Sequence, residues 1–406
     1  MGRAGLIVVD SPGHERVLVK GSLSKPAWSY DGKWLAFQRD GTVQGELAQQ
    51  DLWVVPTRGG ASRKLLANVV QWSWSRSNPS ALAAYTDNSA ADLPAGVTAS
   101  DAYVVFADGS LYWKVPLPGI TGVAWANHNG ALAIATGGPS GPRLYLASLF
   151  SPVPVALVRV AFHLANPPTS YTLLLDRFTS DDRAVLGWVD EMGSGSIALD
   201  GIPLIAIPTA GGNATRLPTM LVDPAWVRDA PTGTDMLVVA SSGRIVTGER
   251  QIRRCDSAGQ CIVPFVDGVQ TMDPAWAPDG SRIAYVRSDA PHDFPRPDGG
   301  PVPNWPGRYA KRHLWIADAD GGSGREILTA GDGVAVIAWS DAKHVTVVTG
   351  GRLRSVEVAT GRSVALTGML GESGMTLPPE AVYEPTPLNG GPDGFTSWES
   401  LVALAP

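Results

Sequence analysis

The chain alternates short apolar runs with polar turns, and this pattern repeats. Residues 25–37 (KPAWSYDGKWLAF) return 248 residues later as residues 273–285 (DPAWAPDGSRIAY), with the Trp, the Asp-Gly pair and the apolar tail in one register. Each copy predicts a strand that ends in an aromatic anchor, a tight Asp-Gly turn and a second strand that returns antiparallel to the first.

A second pair of segments extends the repeat. Residues 51–60 (DLWVVPTRGG) and 313–322 (HLWIADADGG) are each an apolar strand closed by a glycine turn, and another short strand follows each of them. Four antiparallel strands per unit, repeated about every 50 residues, are typical of a β-propeller blade. The sequence therefore predicts an all-β fold, a propeller of four-stranded antiparallel blades.

Seven copies can be placed along the chain, and its two ends hold the parts of an eighth. Residues 5–20 resemble the third and fourth strands of a blade, and residues from about 380 to 404 resemble a first and second strand. We expect a single domain over residues 1–406 with eight blades, the closing blade being shared between the termini, which leaves no open edge. Seven blades plus a tail are the alternative. The aromatic anchors of the seven copies, which we expect to be scaffold, are Trp28, Trp74, Trp125, Phe178, Trp226, Trp276 and Trp339.

Composition and charge narrow the partner classes. The 46 Gly and 33 Pro suit many short strands joined by turns. A formal charge of −6 disfavours nucleic acid as a partner, because phosphate binding needs clustered cations. The nearest cluster, Arg250, Arg253 and Arg254, falls on one predicted strand and is expected to be a solvated outer strand. No apolar run is long enough to predict a transmembrane segment.

The two cysteines bear on the compartment. Cys255 and Cys261 stand at the two ends of a Gly-containing turn between predicted strands, where a hairpin could bring them within disulfide reach. A disulfide persists in an oxidising compartment, so we expect a periplasmic or extracellular protein whose signal or lipid-attachment segment, able to tether it to a membrane, is missing from this chain. Free thiols are the alternative, and so is a cytoplasmic location, since the amino terminus lacks a signal pattern.

The pattern Trp-Ser/Ala-x-Asp-Gly-x-x-Ile/Leu-Ala-Tyr/Phe, followed by Leu-Trp-Val/Ile and a Gly-Gly turn, resembles the WD40-like (PD40) repeat of the TolB family of bacterial propellers. The resemblance is clearest around Trp28 and Trp276 and covers nearly the whole chain. It implies a non-enzymatic binding module of the cell envelope that engages a protein or peptide partner. The alternatives are a propeller enzyme, a polysaccharide lyase or glycan hydrolase with its site at the channel mouth, and an accessory propeller of a larger lipoprotein or receptor.

Catalytic patterns are missing from the sequence. No Gly-x-Ser-x-Gly pentapeptide occurs, and the six histidines are scattered over different repeats with no shared strand position. We therefore predict no catalytic residue, no metal site and no cofactor.

Loop length gives the best functional clue. The connections from second to third strand are long, at about residues 39–50, 87–100, 190–201 and 288–312, and should emerge at one face. The most distinctive, residues 291–309, has six prolines together with aromatic and basic side chains that suit contact with a protein, peptide or glycan. The alternative is that these aromatics pin the loop to its own blade or cover the central channel. The predicted binding residues there are His292, Phe294, Arg296, Trp305, Arg308 and Tyr309.

On the same face, the starts of the first strands should line the mouth of the channel. Asp223 and Asp273 each precede a Pro-Ala-Trp sequence, and Lys25 takes the same place in the Trp28 copy. Such an acid-leaning mouth could hold a cation or a basic peptide end. Equally, these side chains could cap local backbone amides.

Overall fold

The computed structural model describes a chain whose regular elements are all β-strands. The described parts are residues 5–21, 23–44, 47–87, 100–138, 140–148, 157–167, 171–190, 202–220, 227–231, 233, 235–241, 250–265, 270–288, 311–329 and 333–368.

Within these ranges a hairpin is followed by seven four-stranded sheets, numbered 1 to 7 along the chain. The predicted fold class, all-β with four-stranded antiparallel blades, is confirmed. The hairpin is β1 (Gly5–Ser11) and β2 (His14–Lys20); sheet 1 is β3 (Leu23–Trp28), β4 (Trp34–Gln44), β5 (Leu47–Pro56) and β6 (Arg63–Leu66); sheet 2 is β7 (Val69–Trp74), β8 (Ala81–Asp87), β9 (Ser100–Phe106) and β10 (Leu111–Lys114); sheet 3 is β11 (Ile120–Trp125), β12 (Ala131–Thr136), β13 (Arg143–Ser148) and β14 (Leu157–Val160).

The remaining strands complete the set. A short parallel pair is formed by β15 (Phe162–His163) with β19 (Gly212–Asn213). Sheet 4 is β16 (Thr172–Phe178), β17 (Ala184–Asp190), β18 (Ile202–Pro208) and β20 (Thr215–Met220); sheet 5 is β21 (Val227–Asp229), β22 (Met236–Ser241), β23 (Arg250–Cys255) and β24 (Cys261–Ile262); sheet 6 is β25 (Gln270–Trp276), β26 (Arg282–Ser288), β27 (Arg312–Asp318) and β28 (Arg325–Leu328); sheet 7 is β29 (Ala335–Trp339), β30 (His344–Thr349), β31 (Arg352–Glu357) and β32 (Ser363–Ala365).

The chain divides into two compact units. Unit I is Ser22–Gly195 with Pro203–Leu217 and Ala405–Pro406, and unit II is Met1–Gly21, Ser196–Ile202 and Pro218–Leu404. Sheets 1 to 3 belong to unit I, whereas sheets 5 to 7 and the hairpin belong to unit II. The single domain stays a prediction, and residues 380–404 of the expected closing blade lie outside the described residues.

The aromatic anchors join consecutive sheets. Six of the seven end the first strand of their sheet, as predicted. The indole N–H of Trp74 donates to the carbonyl of Ala27 in sheet 1 at 3.1 Å, and that of Trp339 donates to Ala275 in sheet 6 at 3.0 Å. A buried indole needs such a partner, so these residues are scaffold.

The anchor of sheet 5 is displaced from its predicted place. Trp226 lies outside the described residues, and β21 begins directly after it. Trp276 donates its indole N–H to the carbonyl of Arg228 at 3.1 Å, which is the bond that Trp74 makes to the residue before Trp28. Asp229 therefore occupies the anchor position, and the predicted register of this sheet was wrong by three residues.

The Asp-Gly turns are stabilised by their own side chains. The carboxylate of Asp31 accepts hydrogen bonds from the Ser29 hydroxyl at 2.8 Å and the Lys33 amide at 3.1 Å, while Gly32 supplies the positive φ of 67°. Burial raises the pKa of Asp31, but the bonds from Ser29 and Lys33 outweigh it and hold the pKa below its usual value. Asp279 and Gly280 form the same turn in sheet 6.

The core consists of layers between consecutive sheets. One buried cluster combines Ala81 and Val104 of sheet 2 with Ile120, Leu132 and Ile134 of sheet 3. Two further clusters join sheet 1 to sheet 2 and sheet 3 to sheet 4. The interiors of sheets 1 to 4 are thus buried by their neighbours, as close-packed interiors require.

The first strands of unit I also touch one another. The Thr121 hydroxyl of β11 donates to the Leu173 carbonyl of β16 at 2.7 Å, and the Gln71 amide of β7 donates to the Leu175 carbonyl at 2.6 Å. A Cβ added to Gly122 would lie 2.8 Å from the Leu175 nitrogen, so this approach needs glycine. The starts of β11 and β16 therefore contact each other directly. The channel mouth stays a prediction.

Candidate functional site

In each sheet, the second strand ends and the third strand begins at the same end of the sheet. We call this the long-connection end, because the long connections start from it. The predicted strand ends are found in sheets 2, 4 and 6, where residues 88–99 follow Asp87, residues 191–201 follow Asp190 and residues 289–311 follow Ser288. The connection predicted at 39–50 is wrong, because β4 and β5 continue as a paired hairpin to Gln44 and Leu47. Thr42 and Val43 in this stretch are β-branched residue types, which favour strand over loop.

In unit II, cross-strand pairs close the base of two connections. Ser241 pairs with Arg250 in sheet 5, and Ser288 pairs with Arg312 in sheet 6. Each intervening segment therefore leaves and re-enters its sheet at adjacent residues. A connection whose two ends are fixed in this way is presented on a rigid base.

The two arginines at these bases are buried. Arg250 is 1% exposed and Arg312 is 2% exposed, and Gln270, Thr271 and Ser288 around them are also buried. Burying a guanidinium is costly unless it is paired, and both of these have interaction partners. The expectation that Arg250 lies on a solvated outer strand is wrong, since β23 is the third strand of sheet 5 and its first residue points into the protein.

Specific contacts tie the two sheets together below the connections. The Thr271 hydroxyl of sheet 6 accepts the Ile252 amide of sheet 5 at 2.8 Å, and the Met272 sulfur lies 3.8 Å from the Arg250 guanidinium. The second strand of sheet 6 contributes Arg287, whose guanidinium lies 4.7 Å from the centre of the Trp315 ring. The base of the two connections is therefore a bonded, buried layer.

An acidic group also lies near this end of sheet 6. Glu326 accepts hydrogen bonds from the Thr329 hydroxyl and, at 2.9 Å, contacts the His313 ring. Burial raises the pKa of Glu326, but the bonds from Thr329 and His313 more than offset it and hold the pKa below the usual range. Glu326 is thus an anion at neutral pH, paired with its neighbours.

Lys25 and Asp273 share an uncommon backbone geometry. Each precedes a proline within a bulge of the first strand, with φ of 50° for Lys25 and 49° for Asp273. Left-handed conformations cost about 1–3 kcal/mol for residues other than glycine. Lys25 and Asp273 lie in different units and have opposite charges. The feature that they share is the backbone geometry of the bulge. Their roles at a binding surface stay predictions.

The other predicted site residues fall outside the described part of the chain. They are Asp223 and the six side chains of the 291–309 connection, namely His292, Phe294, Arg296, Trp305, Arg308 and Tyr309. The structure describes the residues that flank the 291–309 connection, Ser288 and Arg312, which pair with each other above the buried layer.

The described ranges hold neither a cluster of metal-ligating side chains nor a membrane-spanning helix. No three His, Cys, Asp or Glu side chains there come together in a way that could hold a metal ion. The same ranges contain no helix long and apolar enough to cross a membrane.

The predicted disulfide is present. Cys255 of β23 and Cys261 of β24 are cross-strand partners with Cα atoms 4.1 Å apart, and their sulfurs are bonded. The bond joins the last strand of sheet 5 to the third, and Ile262 beside it is exposed. It therefore secures a very short edge strand that has few other contacts to hold it.

Removing this bond should destabilise unit II. For a loop with a sequence separation of 6, the chain-entropy model gives a loss of about 2 kcal/mol for the Cys255→Ser, Cys261→Ser variant. Urea unfolding with and without reductant measures it. Reductant should lower the midpoint of the natural protein and leave that of the double variant unchanged. Two alkylatable thiols in the native protein would contradict the bond.

Comparison with known proteins yields likeness of fold. No family model matches the chain, and no curated protein matches it. Among solved structures, the Myceliophteria thermophila Cps50 (Swd1) β-propeller domain is 16% identical over 85% of this chain and 96% of that one, with a TM-score of 0.42. The β-propeller domain of the Trilobed protease from Pyrococcus furiosus is 12% identical over 86% and 98%, with a TM-score of 0.45. A putative TolB from Agrobacterium tumefaciens is 16% identical over 64% and 85%, with a TM-score of 0.35.

Proposed function

We propose that this protein is a non-enzymatic binding module of the TolB-like type that engages a protein or peptide partner through the long-connection end of sheets 5 and 6. The observation that carries the proposal is the closed base of residues 289–311, formed by the Ser288 and Arg312 pair. Because the two ends of this connection are held at adjacent residues, its base is already ordered before a partner binds. The connection can then present its aromatic and basic side chains from a fixed base. Less conformational entropy is then lost on binding, which favours affinity.

The composition of the connection supports a macromolecular partner. Phe294, Trp305 and Tyr309 offer aromatic area, and Arg296 and Arg308 offer charge-assisted hydrogen bonds. Tyr, Trp, Phe and Arg are the residue types enriched at protein interfaces. The absence of a nucleophile motif from the sequence favours binding over catalysis.

We also propose that the protein works outside the cytoplasm, in the periplasm or the extracellular space. The support is the bond between Cys255 and Cys261, because disulfides persist in oxidising compartments. The bacterial cell envelope implied by the repeat resemblance is one such compartment.

Replacing residues 291–307 by a short Gly-Ser linker tests the binding surface. We expect at least tenfold less partner captured from an envelope extract, because clustered aromatic side chains dominate interface energies. Trp305→Ala should also reduce the amount of partner captured. Quantitative mass spectrometry of the captured proteins measures both.

The matched control is the same linker in place of residues 90–98, between β8 and β9 of sheet 2. Both variants must keep the circular dichroism and urea midpoint of the natural protein. Capture that is unchanged by the first replacement, or reduced equally by the control, would remove residues 291–307 from the proposed surface.

A further inference from the structure

Sheets 6 and 7 of unit II face each other across a seam, which we call the 6/7 seam. Strand β29 packs against β25, β26 and β27. The Arg282 guanidinium of β26 lies 5.0 Å from the centre of the Trp339 ring of β29, and the Arg325 guanidinium donates to the Val358 carbonyl at 2.8 Å. Side chains alternate between the two faces of a strand, so every second residue counted from Arg282 or Trp339 also faces the seam.

Sheet 6 contributes a buried arginine to this seam. Arg312 of β27 is the cross-strand partner of Ser288, and Ser288 lies six residues after Arg282 on β26. An even spacing keeps side chains on one face, so Arg312 faces the seam with Arg282. Arg312 is 2% exposed and has interaction partners within the protein. Its charge therefore lies below the surface of the long-connection end, where a low local dielectric strengthens electrostatic interactions.

Sheet 7 contributes two half-buried arginines from the opposite side. Arg354 of β31 is the cross-strand partner of Val347, which lies two residues after the partner of Trp339. Arg352 follows the same alternation and pairs with Thr349 where β30 ends. Facing sheets pack about 10 Å apart, so long side chains from both sheets meet in such a seam. Three guanidinium groups thus face the 6/7 seam near the long-connection end.

The two arginines of sheet 7 have few contacts of their own. Among the described residues, the Arg354 guanidinium donates to the Ser363 hydroxyl at 3.2 Å, and the Arg352 guanidinium makes no hydrogen bond or ion pair. Residues 350 and 351, which join β30 to β31, are both glycine, so no side chain of this turn covers Arg352. A guanidinium has five N–H donors, and Arg352 can therefore offer several of them to a ligand.

Carboxylates are scarce on the two surfaces that form the seam. The register places Asp318 there, but at the opposite end of sheet 6, beside Arg282. Asp273 lies in the bulge of β25, where pairing assigns no face, and it has interactions of its own. Among the other described residues of these two surfaces, no Asp or Glu accompanies the three arginines. The seam between sheets 5 and 6 differs, because Glu326 there interacts with Arg287.

We propose that the 6/7 seam binds a carboxylate of the protein or peptide partner, with Arg352 and Arg354 as the contacting residues and Arg312 as a buried charge behind them. Guanidinium groups bind carboxylates through paired, charge-assisted hydrogen bonds. The inference deepens the proposed function, and rests on it, by giving the partner an acidic segment. This sign is opposite to the one expected from Asp223 and Asp273 on the first strands.

The charge of the whole protein favours a short acidic segment over a polyanion. The formal charge of −6 repels nucleic acid, which needs cations along many phosphates. A single Asp or Glu side chain, or a peptide carboxyl terminus, needs only the local cluster of arginines. The partner class is therefore an acidic peptide.

Titration of a defined peptide tests the proposal. The probe is a fluorescently labelled peptide of alternating Ala and Glu, and the same peptide with Gln in place of Glu is the uncharged reference. We expect the full chain to bind the Glu peptide about tenfold more tightly than the Gln peptide, because charge-assisted bonds are roughly twice as strong as neutral ones. The Arg352→Gln, Arg354→Gln double variant should lose this difference. Fluorescence polarisation at low salt measures all four affinities.

Arg362→Gln is the matched control, because Arg362 is an exposed arginine at the other end of the same sheet. It should bind the Glu peptide as the natural protein does. Arg352→Lys keeps the charge but loses the paired geometry, so its affinity should fall about threefold. This single variant carries the test if the urea midpoint shows that the double variant does not fold.

Equal affinities for the two peptides, or equal losses in Arg362→Gln and the double variant, would overturn the proposal. So would inorganic phosphate that displaces the labelled probe at lower concentrations than the unlabelled Glu peptide does, because the site would then be a phosphate site. The linker replacement of residues 291–307 separates the two proposals. Partner capture that survives it contradicts the proposed function, whereas Glu-peptide binding that does not depend on Arg352 and Arg354 contradicts this inference alone.

Discussion

Gly321→Ala should destabilise unit II by about 4 kcal/mol, which is at the upper end of effects for a single substitution. Gly321 lies in the turn between β27 and β28 with φ of 88°, and a Cβ added there would be 1.5 Å from the carbonyl oxygen of Pro264, just after the last strand of sheet 5. That oxygen belongs to the backbone and cannot rotate away. The turn must therefore move off the neighbouring sheet, and contacts between sheets 5 and 6 are lost.

The matched control is Gly59→Ala, at the same turn position in sheet 1. Gly59 has φ of 97°, but nothing lies within 4 Å of the Cβ that alanine would add. Its cost should be limited to the backbone conformation, about 1–2 kcal/mol. Urea unfolding midpoints of the two variants measure the difference, and equal losses would show that close approach of the sheets plays no part.

Some of the glycines in the turns between third and fourth strands therefore have a second role that the sequence does not reveal. A Cβ at Gly361 would lie 2.5 Å from the Ile327 oxygen, and one at Gly211 would lie 2.9 Å from the Ala161 oxygen. In each case the oxygen belongs to the outer part of the preceding sheet or the segment just after it. The turn can be predicted from its glycines, but the close approach depends on how consecutive sheets pack.

Most of the architecture could be predicted because strands and turns are encoded locally. Anchors such as Trp28 and Trp276, with an Asp-Gly pair after each, place strand ends to the residue. The prediction of strand positions was wrong where a segment resembles other copies of the repeat in sequence but occupies a different position in its sheet. The Asp-Pro-Ala-Trp sequence ending at Trp226 copies the one ending at Trp276, yet the bond to Arg228 places Asp229 as the anchor of its sheet.

The base of the candidate site was less predictable. Arginine is mostly exposed in proteins, so the buried positions of Arg250 and Arg312 run against composition rules. A signal does exist in the sequence, because a hydroxyl residue before the connection pairs with an arginine after it in three successive sheets. The third pair is Thr349 with Arg352, across a tight turn. The pattern becomes visible only once the strand register is known.

Asp182→Gly should destabilise unit I by about 2–4 kcal/mol, although it restores the residue that other copies of the repeat have. Asp182 stands where Gly32 and Gly280 stand in their turns, and its φ of 59° is in the left-handed region. Glycine would relieve about 1 kcal/mol of backbone strain. Against this, the Asp182 carboxylate accepts the backbone amides of Asn127 at 2.6 Å and His128 at 2.8 Å, across to sheet 3.

Those bonds outweigh the strain because hydrogen bonds to a charged acceptor contribute roughly 1.5–3 kcal/mol each. Asp182→Asn should fall between the natural protein and the glycine variant, since an amide oxygen accepts fewer and weaker bonds. His128→Ala is the control: its ring is 72% exposed, so its ion pair with Asp182 contributes at most about 1 kcal/mol. Urea midpoints in the order natural, asparagine, glycine are expected. A glycine variant as stable as the natural protein would show that the hydrogen bonds from Asn127 and His128 to Asp182 do not stabilise the contact between sheets 3 and 4.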